Sequence, residues 1–245
     1  MSDWLHGVQW IFTAENWRVV NFQPGIASQL AYHLVLSAIS VGIASAIAIP
    51  VGLYVGHKRR GTWLAVTIAN VGRAIPSYGL VVLMVFAAVA YAPTYAFTMV
   101  PTAIALVFLA IPPILTNTYV GVQEVDRDTV EAARGMGLTE WQVLRKLEMP
   151  LAAPLIMAGL RTGAVTVVAT ATLAGFVGGA GLGSFLYAGF TQQGQEAEFL
   201  GGAILVAALA IATELVFAAL ERVVTPRTRS RQDRRRPRDG AVAGP

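Results

Sequence analysis

Three long stretches of the chain carry no charged side chain and are dominated by aliphatic residues. No Asp, Glu, Lys or Arg occurs in residues 19–57, 74–123 or 162–195. A helix needs about 20 mostly apolar residues to cross the hydrocarbon core of a bilayer. Together with the apolar run near the C-terminus, this pattern predicts five membrane helices, at residues 29–56, 62–91, 97–122, 151–177 and 199–222.

The second predicted membrane helix is interrupted by polar and helix-breaking residues. Arg73 lies in its first half, and Pro76 both removes a backbone donor and crowds the preceding turn. The sequence leaves two arrangements open. Residues 62–72 form an interfacial helix that leads into a short span from Arg73, or one long tilted helix kinks at Pro76.

The composition places the chain among integral membrane proteins. It is 55% hydrophobic and 13% charged, whereas a soluble globular domain carries about a quarter charged residues. The chain has no cysteine, which excludes disulfides and thiolate metal sites. The N-terminus lacks a basic segment followed by a short apolar one, so we expect no cleaved signal peptide.

The positive charge is concentrated in the C-terminal tail. Residues 226–239 hold seven Arg and two Asp, or +5, which leaves 11 basic and 12 acidic residues, or −1, from the total of +4. We expect residues 223–245 to be a disordered cytoplasmic tail attracted to anionic membrane lipid. Nucleic-acid binding is disfavoured beside five membrane spans.

The distribution of Lys and Arg between the spans predicts the orientation. Basic residues occur at 57–60, at 127–146 and in the tail, whereas residues 92–96 and 178–198 contain none. The positive-inside tendency then favours five spans with the N-terminus outside and the C-terminus in the cytoplasm. Residues 1–28 would form an external interfacial segment or contact an external partner.

A polar loop at residues 124–150 separates the third and fourth spans. Asp128 lies three residues before Glu131, and Thr139 lies three residues before Gln142, which is the spacing of reciprocal helix caps. We expect short helices at residues 129–136 and 140–147.

The remaining small residues of this loop predict its turns and its surface. We expect Gly137 in the bend, since glycine tolerates positive φ and close backbone approach. Ala132 and Ala133 would keep one face thin enough to enter a groove. Pro150 would stop the second short helix where the chain returns to the bilayer.

The spacing of this loop resembles the conserved loop of permease subunits in binding-protein-dependent ABC importers. Glu131, Ala132, Ala133, Gly137 and Pro150 match that pattern, and Leu147 and Met149 replace the usual Ile and Leu. The resemblance implies an all-α membrane protein, the transmembrane domain of a type I ABC importer. It also implies that the loop docks on a cytoplasmic ATPase subunit through Glu131, Ala132, Ala133, Gly137, Leu138 and Pro150. The alternative is a capped helical hairpin that only connects two spans.

Other segments resemble permeases for glycine betaine, choline and carnitine, although amino-acid importers share much of the pattern. The resembling segments are residues 73–77, 159–161 and 169–183, and the last includes the external glycines Gly178, Gly179, Gly181 and Gly183. This resemblance implies a bacterial inner-membrane permease that works with ATPase subunits, a second or similar permease copy and a separate extracytoplasmic binding protein.

The chain has no Gly-x-x-x-x-Gly-Lys-Ser/Thr phosphate loop. We therefore expect no enzymatic activity and no cofactor on this chain, with ATP and Mg²⁺ bound by the partner ATPase. A secondary transporter with Glu214 as its ion site and a non-transporting scaffold are the alternatives. Neither explains the spacing from Glu131 to Pro150.

Three charges, those of Arg73, Arg161 and Glu214, lie well inside predicted spans. Arg161 follows Pro154 by seven residues, about 10 Å along a helix, and Glu214 precedes Arg222 by eight residues, about 12 Å. Their similar depth predicts an ion pair between the fourth and fifth spans, with Arg73 as a competing partner for Glu214. Alternatively, the arginines extend to the interface.

Overall fold

The computed structural model describes residues 3–19 and 24–224, and within these ranges all regular structure is helical. The helices are α1 (Asp3–Phe12), α2 (Ile26–Lys58), α3 (Thr62–Ala74), α4 (Ser77–Tyr91), α5 (Met99–Gln123), α6 (Arg127–Gly135), α7 (Glu140–Val143), α8 (Met149–Thr170), α9 (Gly183–Thr191) and α10 (Glu196–Val224). Short 3₁₀ segments occur at Ala14–Trp17, Pro93–Tyr95 and Ala171–Val177, and a π-helical turn at Leu144–Glu148.

Four helical stretches in the described part of the chain are long and apolar enough to cross a membrane. They are Ile26–Lys58, Met99–Gln123, Glu140–Val177 and Glu196–Val224. Each corresponds to one predicted span, although the third begins at Met99 and not at residue 97. The first begins three residues earlier than predicted, with Gly25 as its N-cap.

The second predicted span is a broken pair of helices, α3 and α4, which meet at 91°. Neither predicted arrangement is fully correct, because α4 begins at Ser77 rather than Arg73 and no continuous helix passes Pro76. Ile75 and Pro76 both have extended backbone, as expected for a proline and the residue before it. The 15 residues of α4 span about 22 Å, which is shorter than a hydrocarbon core of about 30 Å.

Helix α5 lies at the centre of the bundle. It packs against α2 on one side and α8 on the other, and α3 and α4 also contact it. The main core lies between these helices and includes Leu36, Leu106, Ile114, Tyr119 and Val167. Helix α10 packs against α8, and α1 and α9 cover its N-terminal half.

Glycines allow the helices to approach α5 closely. A Cβ atom at Gly52 would lie 2.7 Å from the Thr118 Cβ, and one at Gly56 would lie 2.6 Å from the Val122 Cβ. On the other side of α5, a Cβ at Gly159 would lie 2.8 Å from that of Asn117. Small residues at these positions therefore let the backbones come close, and the van der Waals packing that results is one of the forces that associate helices within lipid.

The two ends of the chain differ in how much of them the structure describes. Helix α1 is packed onto the bundle, with the Trp10 ring edge-to-face with Phe185 at 5.0 Å between centroids. At the other end, α10 continues to Val224, so residues 223–224 of the predicted tail are helical. The predicted disorder and lipid attraction of the tail from residue 225 onwards lie outside the described residues.

Candidate functional site

The polar loop of residues 124–150, called the coupling loop below, begins with a capped helix. Asp126 has non-helical backbone, and its carboxylate accepts a hydrogen bond from the Asp128 backbone N–H at 3.1 Å. The prediction that Asp128 caps this helix is therefore wrong. Capping by Asp126 starts the helix at Arg127 and places the charge of Asp128 in the first turn, where the helix dipole favours an anion.

Gly137 forms the bend between α6 and α7, with φ of +87°. Its N–H donates to the Arg134 carbonyl at 2.9 Å, and the Leu138 N–H donates to the Ala133 carbonyl at 3.2 Å. This pair of bonds is a Schellman motif, which terminates a helix with a left-handed residue. Leu138 then packs against Val130, Ala133 and Val143 in a small core inside the loop.

The second helix of the loop carries the predicted reciprocal cap. The Gln142 N–H donates to the Thr139 hydroxyl at 3.4 Å, and the Thr139 N–H donates to the Gln142 side-chain oxygen at 2.9 Å. Both bonds satisfy backbone donors that a helix N-terminus otherwise leaves unpaired. The loop is thus built from two capped helices around its own core.

Pro150 does not stop the second helix, contrary to the prediction. The chain continues through the π-helical turn Leu144–Glu148 directly into α8, and Pro150 lies in the first turn of α8. The Met149 N–H donates to the Leu144 carbonyl, five residues back. This wider turn accommodates a proline ring that would clash with the backbone of a regular helix.

His57, in the last turn of α2, contacts two carboxylates of the coupling loop. Its Nδ1 lies 2.6 Å from Glu148 Oε2 and its Nε2 lies 3.0 Å from Glu140 Oε2. Carboxylates only accept, so both contacts are hydrogen bonds when both ring nitrogens carry a proton. The His57 and Glu148 side chains are only 5% and 6% exposed. We call these three residues the histidine clasp.

Arg134 holds in place the carboxylate of Glu140, which is the more exposed of the two glutamates in the clasp. Arg134 donates from Nε and Nη2 to the two oxygens of Glu140, at 2.9 and 3.1 Å. This hydrogen-bonded fork holds the pKa of the Glu140 carboxyl below its ordinary value, and the charges of Arg134 and Lys58 act in the same direction. The coupling loop is therefore joined to α2 by side chains and to α8 by continuous backbone.

The clasp was not predicted. Glu148 lies between two apolar residues just before a membrane helix, where a carboxylate requires a partner. That requirement was visible in the sequence, but the identity of the partner was not.

The predicted docking residues do not share one face. Glu131, Ala132, Gly137 and Pro150 are exposed, Leu138 is half-buried and Ala133 is buried in the core of the loop. The expectation that both alanines form one thin exposed face is wrong for Ala133, because successive helical residues point about 100° apart.

Two exposed hydrophobic side chains of the coupling loop were not singled out from the sequence. Met136 is 75% exposed and Trp141 is 67% exposed. Met136 follows Ala132 by one helical turn and so continues its exposed surface. Trp141 instead borders an apolar groove against Pro50, Leu53 and Tyr54 of α2.

The structure brings Arg161 and Glu214 together, and adds a second glutamate. Arg161 Nε lies 3.5 Å from Glu214 Oε1, and its Nη1 lies 3.2 Å from Glu221 Oε2. Glu221 follows Glu214 by seven residues, two turns along the same face of α10. We call these residues the charged triad. The side chain of Arg73, the competing partner, lies outside the described residues.

The glycine-rich segment of residues 178–183 and the C-terminal end of α8 are both held by polar side chains near the start of α2. The Gly181 N–H donates to the Gln29 side-chain oxygen at 2.6 Å, and His33 Nε2 lies 2.9 Å from the Val168 carbonyl. Gln29 and His33 are buried. Gly178 and Gly181 have positive φ, so the segment is a fixed turn where α8 unwinds. Among the described residues no His, Cys, Asp and Glu cluster could hold a metal ion.

A comparison with known protein families identifies the family to which this chain belongs. Residues 48–230, which include the whole coupling loop and the triad, match the family described as "Binding-protein-dependent transport system inner membrane component". The chain belongs to this permease family.

Two relatives illustrate the position of this permease within the family. It is 35% identical over 195 residues to the "Glycine betaine/carnitine/choline transport system permease protein OpuCB" of Bacillus subtilis, covering 80% of this chain and 86% of the relative. It is 37% identical over 196 residues to the "Carnitine transport permease protein OpuCD" of Listeria monocytogenes, covering 79% of this chain and 84% of the relative.

A solved structure supports the fold. The permease resembles a chain of the inward-facing MetNI methionine ABC transporter with a TM-score of 0.73 at 23% identity, covering 82% of this chain and 96% of that chain. The predicted fold class, an all-α type I ABC importer transmembrane domain, is therefore confirmed.

We predict that the charged triad is energetically coupled. Arg161→Met leaves two carboxylates without a cation and should lower stability by about 1–2 kcal/mol, since the group is partly exposed. Adding Glu214→Gln and Glu221→Gln should recover most of that loss, because no lone charge remains. Thermal unfolding of the purified permease in detergent measures this, with Arg145→Met as the control. Strictly additive losses would show that the three side chains do not interact.

Proposed function

We propose that this permease is the membrane-spanning subunit of an ATP-driven importer for small osmoprotectants such as glycine betaine, choline or carnitine. A separate extracytoplasmic binding protein delivers the solute, and the pathway forms between two permease copies or between this chain and a similar one. The observation that carries the proposal is the rigid coupling loop, with its exposed apolar surface, in a chain whose relatives are named as osmoprotectant permeases.

The exposed surface of the coupling loop suits a docked ATPase subunit. Ala132, Met136 and Trp141 are exposed at the charged end of the bundle, and apolar patches in such places mark protein contacts. Because this chain has no phosphate loop, ATP and Mg²⁺ bind to that partner. In this arrangement Glu131, Gly137, Leu138 and Pro150 shape the docking surface, and Ala133 supports it from within.

The histidine clasp allows a movement of the docked subunit to displace membrane helices. Force applied to the loop reaches α8 through the unbroken helical backbone from Glu140 to Val177. It reaches α2 through the buried contact between Glu148 and His57. The loop, α2 and α8 therefore move as one unit, which is what coupling ATP binding to opening of a pathway requires.

We propose that the coupling loop faces the cytoplasm of a bacterial cell and the N-terminus faces outward. Residues 57–60 and the basic residues of the loop lie at one end of the bundle, and residues 178–198 without Lys or Arg lie at the other. In a chain with no native cysteine, Gln193→Cys should react with an impermeant maleimide on intact cells. Arg60→Cys should react only after permeabilisation, and the reverse pattern would invert the proposed topology.

The solute class is tested in the intact complex. The permease, its ATPase and its binding protein are reconstituted in nanodiscs, and ATP hydrolysis is measured with glycine betaine, choline, carnitine or methionine. At least one osmoprotectant should stimulate hydrolysis, and methionine should not, if the binding protein selects quaternary ammonium compounds. Stimulation by methionine alone would instead identify an amino-acid importer.

Docking is tested by placing a charge on the exposed surface of the loop. Met136→Asp should weaken co-purification of the ATPase and reduce solute-stimulated hydrolysis about tenfold or more, because a desolvated carboxylate is costly at an interface. Phe190→Asp is the matched control, since Phe190 is equally exposed at 75% but lies near the external end. Equal ATPase recovery for both variants would exclude docking at Met136.

A further inference from the structure

The exposed face of α8 carries a row of hydroxyl groups. Thr162, Thr166 and Thr170 are spaced four residues apart, so they follow one another along the helix. Thr162 is exposed, and Thr166 and Thr170 are partly exposed. We call these three residues the hydroxyl ladder.

Each hydroxyl of the ladder already uses its proton. The Oγ1 atoms of Thr162, Thr166 and Thr170 donate to the carbonyls of Ala158, Thr162 and Thr166, at 3.0, 2.7 and 2.6 Å. A threonine hydroxyl has one proton and two acceptor lone pairs. The ladder therefore presents acceptors, and no donors, to whatever lies beside α8.

This face differs from the exposed face of α2, which we take to be in contact with lipid. The outward face of α2 consists of large apolar side chains that are 43–64% exposed, namely Leu34, Val35, Ile39, Ile43, Ile47, Val51 and Tyr54. Between residues 152 and 170 of α8, the fully exposed positions are Thr162 and Ala169. Leu155 and Val165 on the same side of α8 are partly exposed, but the fully exposed side chains are small or hydroxyl-bearing. Contact with acyl chains would therefore gain less here than on α2.

The charged triad lies at the same depth along α8 as Thr162, the first residue of the ladder. Arg161 directly precedes Thr162, and its two glutamate partners are 48% and 28% exposed. One arginine and two glutamates give a formal charge of −1. Charge in a membrane segment normally faces a protein interior or a water-filled cavity, which places water rather than lipid at this surface.

We propose that the hydroxyl ladder and the glutamates of the charged triad line the solute pathway and favour cationic solutes that carry a quaternary ammonium group. A quaternary ammonium group has no N–H to donate and spreads its charge over its methyl groups. Acceptor oxygens attract it without requiring a donor in return, and the net negative triad draws it towards the cytoplasm. The proposal rests on the importer function above and assigns the permease itself a part in selecting solutes.

The accessibility of α8 to water and ions tests the proposal directly. In the reconstituted complex, Thr162→Cys and Thr166→Cys should react with a cationic methanethiosulfonate about tenfold faster than Ile43→Cys on the lipid-facing surface. The cationic reagent should also react faster than an anionic one of similar size. Glu214→Gln with Glu221→Gln leaves Arg161 as a lone positive charge and should reverse that preference. Rates no faster than at Ile43 would overturn the proposal and place α8 in lipid or in a closed contact with a second permease. Equal rates for both reagents would overturn the preference for cations.

A transport measurement separates this inference from the function it rests on. Thr166→Val keeps the shape of the side chain and removes the acceptor, so the KM for choline-stimulated ATP hydrolysis should rise severalfold while assembly of the complex is unchanged. Ser45→Val, whose hydroxyl also bonds four residues back but lies on α2, is the control. If the unaltered complex responds to no osmoprotectant, the importer function fails. If it responds and Thr166→Val equals Ser45→Val, only the role of the ladder fails.

Discussion

The imidazole of His57 holds the coupling loop against the end of the first membrane helix. It lies between Glu140 and Glu148, and its contact with Glu148 is almost fully buried. A buried carboxylate that loses its partner becomes an uncompensated charge, which is strongly destabilising. Separating the loop from α2 would expose this penalty, so the contact favours joint movement of the two elements in the ATPase docking that we propose.

The internal architecture of the loop makes that contact useful. The Schellman turn at Gly137, the reciprocal cap at Thr139 and the small core around Val143 leave few free backbone groups in α6 and α7. A loop built in this way transmits displacement instead of absorbing it. The π-helical turn before Pro150 serves the same end, because it lets α7 continue into α8 without a break.

The two helices that pack most closely on α5, α2 and α8, have exposed faces of different chemical character. Gly52, Gly56 and Gly159 let α2 and α8 contact the backbone of α5, which leaves their opposite faces exposed. On α2 that face is aliphatic, whereas on α8 it carries hydroxyls next to the charged triad. The difference between these faces is the basis of our proposal that α8, and not α2, faces a water-filled pathway.

Features that depend on neighbouring residues could be predicted from the sequence. Span length follows from the number of consecutive apolar residues, the reciprocal cap from the spacing of Thr139 and Gln142, and the bend from Gly137. Two of these local predictions were nevertheless wrong. Asp126, and not Asp128, caps α6, because both residues can accept a bond from the first turn. Pro150 does not end the second short helix, because a widened turn lets the helix continue past it.

Features that join distant parts of the chain were decided only by the tertiary structure. His57 meets Glu148 across 91 residues, and Gln29 meets Gly181 across 152. The matched depths of Arg161 and Glu214 predicted their pairing, but the addition of Glu221 depends on the rotation of α10 about its axis. The burial of Ala133 likewise depends on which side of α6 faces the rest of the loop. Hydrophobic length and local spacing determine which helices form, whereas the identity of each polar partner depends on how those helices rotate and pack, because a hydrogen bond or ion pair acts only over a few ångströms.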